Sequence, residues 1–452
     1  MGIQFIQTIL TNMGLFYEKI GVFIYNYFIN YSRPILDVIH NIFYNGFYVL
    51  LAITILLTLS FLFIAIYVLF KRKEKETLVK DKDLPFVTIQ IPTYNELAAL
   101  NCAKRCLNFD YPKDKYQIII GDDSSDKYIS KKIDSFASKY KETILVTRRG
   151  SNVGYKPGNL NHMLKFTKGE YIVIFDSDFL PEKDFLKRIV SPLVLDNEVS
   201  AVQARWVIKN FSQNSYSIVG GIIPMLTHHI GLPFLKYFKS NGFIAGSAEC
   251  IRKKDLISLG GWQEGSLTED IEFSLRLTTE NKKIVYLENL TCECEAPFTL
   301  KDVTLQQMRW AYGVIKAFKK HFKSLLFSTK VSFRKSLNAI LLVLGYAVTL
   351  LFFSLTVFGF FSIISAKPEP IQWGKMIFEM GRNFLWTSGF LLSSVITIAL
   401  SKNLKEAPRT IFASLTIGFI VIFKVTLGVF KAIFNRPMNW FMLEKNGNKT
   451  RI

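Results

Sequence analysis

Long stretches without a charged side chain constrain this chain more than any other feature of its sequence. Phe47 to Phe70 contains none, and at about 1.5 Å per residue such a helix spans a hydrocarbon core of about 30 Å. Ser336 to Ala366 and Asn383 to Ser401 are also uncharged and long enough. Thr410 to Phe423 is apolar but is followed by two lysines, so a fourth crossing there stays open. We therefore expect an integral, multi-pass membrane protein.

These spans divide the chain into six expected segments. They are an N-terminal amphipathic, interfacial segment (1–45), a transmembrane helix (46–71), a cytoplasmic domain (72–313), a basic interfacial segment (314–335), a C-terminal transmembrane region of two to three helices (336–433) and a tail (434–452).

The basic excess of the chain, 56 Lys and Arg against 36 Asp and Glu, would suggest a nucleic-acid partner in a soluble protein. Here the basic residues cluster at 71–75 and 316–335, directly beside the first and second expected spans. By the positive-inside rule this distribution places the polar middle of the chain in the cytoplasm. We expect anionic membrane lipid, and no nucleic acid, to contact these clusters at the cell membrane.

Strand and helix patterns alternate through the cytoplasmic region. Short runs rich in β-branched residues predict strands at Leu84–Pro92, Tyr116–Ile120, Thr143–Thr147 and Tyr171–Phe175, with helical segments between them. This alternation predicts an α/β fold with a mostly parallel, Rossmann-like sheet and helices on both faces.

Two carboxylates, Asp176 and Asp178, follow the buried run that begins at Tyr171. The carboxyl ends of strands are where open α/β sheets bind ligands, and side chains two residues apart can point the same way. Such a pair suits one hard cation, Mg²⁺ or Mn²⁺, although alone it also fits a solvated turn.

Further polar groups follow the neighbouring strands. Asp122 and Asp123 close the second strand, and a loop with several glycines and Lys156 follows the third. Carboxylates beside a glycine-and-lysine loop suit a nucleoside diphosphate carried on a metal ion. The G-x-x-x-x-G-K-[ST] phosphate loop is absent from the sequence, which disfavours transfer of a terminal phosphate.

Two more motifs lie towards the second span. Glu269 and Asp270 follow Thr268 at the start of an expected helix, where acidic residues also fit simple capping. Gln306, Arg309 and Trp310 share one face of another helix, a pattern that a membrane-surface helix could also use.

The chain thus carries four motifs in this order: Asp122-Asp123, Asp176-x-Asp178, Thr268-Glu269-Asp270 and Gln306-x-x-Arg309-Trp310. With them it resembles the membrane-integrated family 2 glycosyltransferases, the group of cellulose, hyaluronan and mannan synthases. The motifs Gly154-Tyr155-Lys156-Pro157-Gly158 and Val202-Gln203-Ala204-Arg205-Trp206 look most like the cellulose synthase-like mannan and glucan synthases and their bacterial relatives. The tail segment Asn439–Lys445 is similar to the Trp-x-x-Thr-x-Lys segment of that group, except that Met442 replaces the threonine.

The resemblance implies a GT-A catalytic domain and a nucleotide-sugar donor. By position, Thr93, Tyr94 and Glu96 would line the nucleoside pocket. Asp123 would meet the base or ribose, with Asp122 beside it in the same nucleotide-binding motif.

The resemblance also implies how the reacting groups are held. Lys156 and Asp176 would hold the diphosphate, and Asp178, with Asp176, would bind Mg²⁺ or Mn²⁺. Asp270 would be the general base in a catalytic motif that includes Glu269.

The helix before the second span completes the implied site. Gln306, Arg309 and Trp310 would hold the leaving diphosphate and the acceptor sugar.

We weigh three functional hypotheses, of which the first two are implied by the resemblance. The leading hypothesis is an inverting hexosyltransferase that adds hexose from a UDP- or GDP-sugar to a β-linked polysaccharide at the membrane. A second is a lipid glycosyltransferase that adds single sugars to a glycolipid or polyprenyl-phosphate acceptor. A third is a non-catalytic membrane scaffold that binds nucleotide. The sequence identifies neither the donor sugar nor an accessory subunit.

Overall fold

The structure is a computed structural model that describes residues 2–72, 74–332, 335–336, 344–346, 348–367, 370 and 372–449. Most of the expected span from Ser336 to Ala366 lies within this range, but residues 337–343 and 347 are outside the described residues. The chain divides into two compact units, Met1–Leu57 with Leu351–Thr387, and Thr58–Leu350 with Ser388–Ile452.

Eight strands and fourteen helices are defined within the described residues. The strands are β1 (Val87–Thr93), β2 (Tyr116–Asp122), β3 (Ile144–Thr147), β4 (Tyr171–Ile174), β5 (Leu180–Pro181), β6 (Val199–Ile208), β7 (Glu249–Arg252) and β8 (Lys283–Cys294). The helices are α1 (Gly2–Leu69), α2 (Ala98–Cys106), α3 (Lys127–Ala137), α4 (Tyr155–Leu164), α5 (Phe185–Leu195), α6 (Ser215–Leu226), α7 (Leu232–Tyr237), α8 (Lys253–Ser258), α9 (Glu269–Thr279), α10 (Leu300–Phe327), α11 (Val348–Ser365), α12 (Trp373–Thr387), α13 (Gly389–Leu400) and α14 (Ala407–Ile433).

The larger unit is built on one mixed sheet with the strand order β3-β2-β1-β4-β7-β6-β8-β5. Strands β1 to β4 pair in parallel, as do β6 and β8, whereas β7 is antiparallel to both of its neighbours. All seven residues of β1 and of β2 are buried, as expected for strands covered by helices on both faces. The predicted α/β fold with a mostly parallel sheet is confirmed.

The parallel register sets the site. Thr93 at the end of β1 pairs with Asp122 at the end of β2, and Gln90 of β1 pairs with Ile174, the last residue of β4. The polar residues that follow these three strands therefore emerge at one edge of the sheet.

The helix α10 connects this sheet to the apolar C-terminal part of the unit. It packs along α14 and also contacts α9 and α6. A Cβ atom on Gly313 would lie 2.6 Å from the side chain of Thr268, so only glycine permits this close approach of α10 to the start of α9. The face of α10 that carries the Gln-x-x-Arg-Trp motif is thereby held beside Asp270.

Four helical segments of the described chain are long and apolar enough to cross a membrane: Tyr31–Leu69, Ser215–Tyr237, Val348–Ser365 and Leu404–Ile433. The consecutive helices α12 and α13 meet the same criterion together. The segment Ser215–Tyr237 is mostly buried by packing inside its unit.

Three helix boundaries differ from the sequence expectation. The N-terminal segment and the first span form the single helix α1, which continues through Pro34. The stretch from Asn383 to Ser401 is divided between α12 and α13. The apolar stretch at 410–423 is the middle of α14, whose 27 residues are long enough to span a bilayer.

Candidate active site

One cleft at the carboxyl edge of the sheet collects nearly all of the expected site residues. It is lined by Thr93, Tyr94, Glu96, Asp123, Lys156, Asp176, Asp178, Glu269, Asp270, Gln306, Arg309 and Trp310. These side chains come from the ends of parallel strands, from the starts of α4 and α9, and from one face of α10. The structure thus brings four motifs that are far apart in sequence into one cleft.

Asp122 is the exception among the expected residues. It does not line the cleft. Its buried carboxylate accepts hydrogen bonds from Arg148 Nε, at 2.8 Å, and from the backbone N–H of Ser124, at 3.0 Å. These contacts hold the end of β2 against the loop after β3. In this structure Asp122 therefore stabilises the backbone beside the cleft and does not line the cleft itself.

Asp123 lies in the cleft and is held by an arginine. Arg149 Nη2 donates to Asp123 Oδ2 at 2.5 Å, and Arg149 Nη1 donates to the carbonyl oxygen of Val153. This arrangement fixes the glycine-rich loop against the end of β2. Asp123 is therefore held in a defined orientation in the cleft.

Lys156 lies at the centre of the acidic groups. Its Nζ atom is 2.8 Å from Asp176 Oδ1 and 3.1 Å from Glu269 Oε1, and it donates to the carbonyl oxygen of Gly246 at 2.5 Å. Although burial opposes its charge, Asp176 and Glu269 raise the pKa of Lys156 above its ordinary value. Lys156 is therefore a fixed positive charge, as binding of a diphosphate requires.

Asp270 has the electrostatics of a general base. Burial, with a further contribution from Glu269, raises the pKa of Asp270 from 3.8 to about 7, and Lys156 opposes this change. A carboxyl group with a pKa near 7 can exchange protons efficiently at neutral pH. A carboxylate at the start of a helix is also stabilised by the helix dipole.

Arg309 lies near three carboxylates but forms no ion pair with them within the described part of the chain. No hydrogen bond or ion pair joins it to another described residue, and its buried Nε atom has no hydrogen-bond partner. Burial lowers the pKa of Arg309, and Glu269, Asp176 and Asp270 oppose that effect. An arginine with unused donors in a cleft is suited to bind an anion.

Two functional candidates were missed by the sequence reasoning. Lys445 Nζ, in the tail, donates to Asp178 Oδ1 at 2.6 Å and to Ser177 Oγ at 2.9 Å, and it lies 3.2 Å from Glu96 Oε1. The similarity of the tail to the Trp-x-x-Thr-x-Lys segment was the available signal. Glu249, the other candidate, is buried on β7, and no sequence motif marked it.

The same tail lines the cleft beside Tyr94. The indole of Trp440 lies 5.7 Å from the ring of Tyr94 in an edge-to-face arrangement and 6.4 Å from the ring of Tyr155 in a stacked one. Glu295 accepts hydrogen bonds from the backbone N–H groups of Asn446 and Gly447. The tail is thus anchored at both ends of its path along the cleft.

The carboxylates fit the divalent cation that the resemblance implies. In the described part of the chain, no three His, Cys, Asp or Glu side chains are arranged to hold a metal by themselves. Mg²⁺, however, is commonly bound by one or two carboxylates together with substrate phosphates, and Asp176 and Asp178 supply such a pair. Asp178 already accepts hydrogen bonds from Lys445 and from the Glu295 backbone. A cation and Lys445 would therefore compete for Asp178.

Two family models match the chain. Residues 171–423 match the model described as glycosyl transferase family group 2, and residues 88–253 match glycosyl transferase family 2. The first match covers more than half of the chain.

Curated proteins with similar sequences are named as mannosyltransferases. The "Probable glucomannan 4-beta-mannosyltransferase 11" of Oryza sativa subsp. japonica is 33% identical over 263 residues, which are 55% of this chain and 45% of the relative. The "Probable glucomannan 4-beta-mannosyltransferase 1" of Arabidopsis thaliana is 29% identical over 299 residues, 62% of this chain and 54% of the relative. The chain spans about half the length of the curated relatives it matches.

A solved structure has the same fold. The mannosyltransferase PcManGT from Pyrobaculum calidifontis, in complex with GDP-Man and Mn2+, has a TM-score of 0.59 and 15% sequence identity. The match covers 89% of this chain and 100% of that one. The expected GT-A type of catalytic domain is thereby confirmed.

Proposed function

The chain belongs to glycosyl transferase family group 2, and on this basis we propose that it is an inverting hexosyltransferase of the membrane. It moves a hexose from a UDP- or GDP-sugar onto a growing β-linked polysaccharide. The mannosyltransferase names of its relatives make mannose from GDP-mannose the first donor to test.

The observation that carries this proposal is the pairing of two unlike groups in one cleft. Arg309 offers unused donors in the described structure, and Asp270 has a pKa near 7. Sugar transfer from a nucleotide needs both, because the leaving diphosphate gains negative charge while the acceptor hydroxyl loses a proton. A nucleotide-binding scaffold has no need for such a base.

Lys156 and Arg309 bind the diphosphate of the donor. Both place positive charge in the cleft, where it stabilises the negative charge that develops on the leaving group more effectively than in bulk solvent. Asp176 and Asp178 would hold Mg²⁺ or Mn²⁺, which would supply further positive charge to oppose the charge of the leaving group.

Asp270 removes the proton from the acceptor hydroxyl. As the hydroxyl oxygen forms a bond to the anomeric carbon, the bond from that carbon to the diphosphate oxygen breaks, and the proton passes to the Asp270 carboxylate. Attack from the face opposite the leaving group inverts the anomeric configuration. Glu269 supports this step indirectly, since its charge raises the pKa of Asp270 and its carboxylate holds Lys156.

Trp310 and Gln306 contact the acceptor sugar. An indole ring offers an apolar face that packs against the C–H face of a pyranose, and an amide orients a hydroxyl by hydrogen bonding. Because α10 leads directly into the apolar C-terminal part of the chain, the acceptor lies beside the membrane. The cleft faces the cytoplasm in this proposal, as the basic clusters indicate.

The test is an assay of nucleoside diphosphate release. Membranes containing the protein are incubated with Mn²⁺ or Mg²⁺ and each of GDP-mannose, UDP-glucose and UDP-N-acetylglucosamine. One donor is expected to release its diphosphate, and Asp270→Asn is expected to lower turnover by about 10² to 10⁴. Asp114→Asn, an exposed aspartate outside the cleft, is the matched control.

The product separates the proposal from its alternatives. The product is followed with a donor whose sugar is labelled. Labelled product that precipitates in ethanol and is degraded by a β-glycanase supports polysaccharide synthesis, whereas labelled product extracted by organic solvent indicates a glycolipid. Turnover by Asp270→Asn close to that of the unaltered protein would contradict the proposed base. Nucleotide-sugar binding without release of diphosphate under either metal would contradict the enzymatic proposal itself.

A further inference from the structure

The loop Ala245–Ala248 connects groups of the cleft through its backbone and the side chain of Ser247. Lys156 Nζ donates to the carbonyl oxygen of Gly246 at 2.5 Å. The backbone N–H of Asp176 donates to Ser247 Oγ at 2.9 Å, and Trp206 Nε1 donates to the carbonyl oxygen of Ser247 at 3.0 Å. A displacement of this loop would therefore move several cleft residues together.

Two buried side chains hold the loop. Gln203 accepts a hydrogen bond from the N–H of Ala245 at 2.7 Å and donates to the carbonyl oxygen of Ser247 at 2.9 Å. Glu249 Oε2 accepts a hydrogen bond from the N–H of Gly246 at 2.8 Å. The two residues are direct partners in the register of β6 and β7, so they support the loop from adjacent strands.

The peptide of Gly246 lies directly against the proposed catalytic groups. A Cβ atom at this position would lie 3.1 Å from Asp270 Oδ2 and 3.3 Å from Lys156 Nζ. Gly246 also has φ = +87°, which only glycine adopts readily. The Gly246 peptide therefore packs against the Asp270 carboxylate and accepts a hydrogen bond from the Lys156 ammonium.

We propose that Glu249 is a positioning residue for sugar transfer, acting on Lys156 and Asp270 through the Gly246 peptide, by its hydrogen bond and not by its charge. The proposal rests on the proposed function of Asp270 as the base. Glu249 itself touches neither substrate nor the reacting atoms, because it does not line the cleft.

The surroundings of Glu249 support a role without charge. Its side chain is only 1% exposed, and none of the ion pairs of the described chain includes it. Burial raises the pKa of Glu249 well above its ordinary value; Lys156 opposes this change, and Asp270 and Glu269 add to it. The amide of glutamine matches the carboxyl group of Glu249 in shape and keeps an acceptor for the Gly246 N–H.

The experiment compares Glu249→Gln with Glu249→Leu in the whole 452-residue chain, prepared in membranes. Each preparation is titrated with labelled GDP or UDP, whichever nucleotide matches the active donor, to count binding-competent sites. Turnover is then expressed per site. Glu249→Leu is expected to lower kcat per site about 10- to 100-fold, the size of effect that a small misplacement of reacting groups produces. Glu249→Gln is expected to stay within about threefold of the unaltered protein, since it keeps the acceptor for the Gly246 N–H.

Glu288→Leu serves as a control for damage to the fold. Glu288 is also a buried acid, 3% exposed, but it pairs with Lys236 outside the cleft. This variant is expected to reduce the number of binding-competent sites and leave kcat per site unchanged.

Two results would overturn the proposal. Equal loss of kcat per site in the Gln and Leu variants would show that the charge of Glu249 is required. An unchanged kcat per site in Glu249→Leu would show that Glu249 only stabilises the fold. Failure of the proposed function has a different signature, because it appears as full turnover in Asp270→Asn whatever the Glu249 variants do.

Discussion

Asp270 is expected to set the acid limit of turnover. Raising its pKa from 3.8 to about 7 corresponds to about 4 kcal/mol of preference for the protonated form. A general base must be deprotonated, so activity is complete above the pKa and falls as the pH drops through it. We therefore expect kcat/KM to reach a plateau above about pH 8 and to lie about tenfold lower at pH 6.

Glu269→Gln tests the cause of this raised pKa. After burial, the charge of Glu269 is the largest contribution to it. The amide keeps the size of the side chain and removes the charge, so the pKa of Asp270 falls and the acid limb moves to lower pH. At pH 6 the variant should then retain a larger fraction of its own plateau activity than the unaltered protein does.

The assay measures diphosphate release between pH 5 and pH 9 at constant ionic strength, with each profile scaled to its own plateau. Glu280→Gln is the matched control, because Glu280 caps the other end of the same helix and pairs with the distant Lys330. It should leave the acid limb in place. An acid limb near pH 4 in the unaltered protein, or one that does not move in Glu269→Gln, would refute this reasoning.

Three further predictions concern other parts of the site. Lys445→Ala should bind Mn²⁺ more tightly in the absence of nucleotide, because the lysine no longer competes for Asp178. Lys445→Arg should bind Mn²⁺ like the unaltered protein. Electron paramagnetic resonance measures the Kd for Mn²⁺, and an unchanged Kd in the alanine variant would exclude such competition. Trp310→Ala should raise KM for an oligosaccharide acceptor about threefold to tenfold and leave the donor KM nearly unchanged, with Trp310→Phe intermediate, and an effect confined to the donor would contradict the acceptor role. Although burial opposes its charge, His321 and two further basic neighbours lower the pKa of Glu272 to about 2. The Glu272→Gln variant should therefore be about 3 kcal/mol less stable than the unaltered protein above pH 4.5, and the difference should shrink as the pH falls towards 2. Thermal melts in which this difference does not depend on pH would contradict the prediction.

Local sequence patterns were sufficient to predict most of the cleft. The carboxyl ends of parallel strands meet at one edge, so the positions of Asp123, Asp176 and Asp178 after apolar runs already implied that they lie close together. Helical periodicity likewise implied that Arg309 and Trp310 share a face. These inferences succeed because each depends on the regular geometry of a single element or of neighbouring strands.

Composition was a weaker guide to which residues face the membrane. The segment Ser215–Tyr237 is apolar enough to cross a bilayer, yet it is mostly buried inside its unit. Lys320, counted by the sequence among the basic residues beside the membrane, pairs with Glu272 of α9. An apolar stretch needs apolar surroundings and a basic stretch needs acidic partners. Either the protein interior or the membrane can provide them, so composition alone does not distinguish the two.

The sequence by itself was enough to predict the α/β fold and to identify which residues form the chemical motifs. Strand and helix periods and the positions of strand ends are local properties, so a sequence displays them directly. Only the tertiary structure showed three contacts. Lys445 donates a hydrogen bond to Asp178, 267 positions away in sequence, and Arg148 donates one to Asp122. The backbone N–H of Gly246 donates one to Glu249. Those contacts depend on how separate elements pack and on the paths of irregular loops, which no periodic pattern encodes.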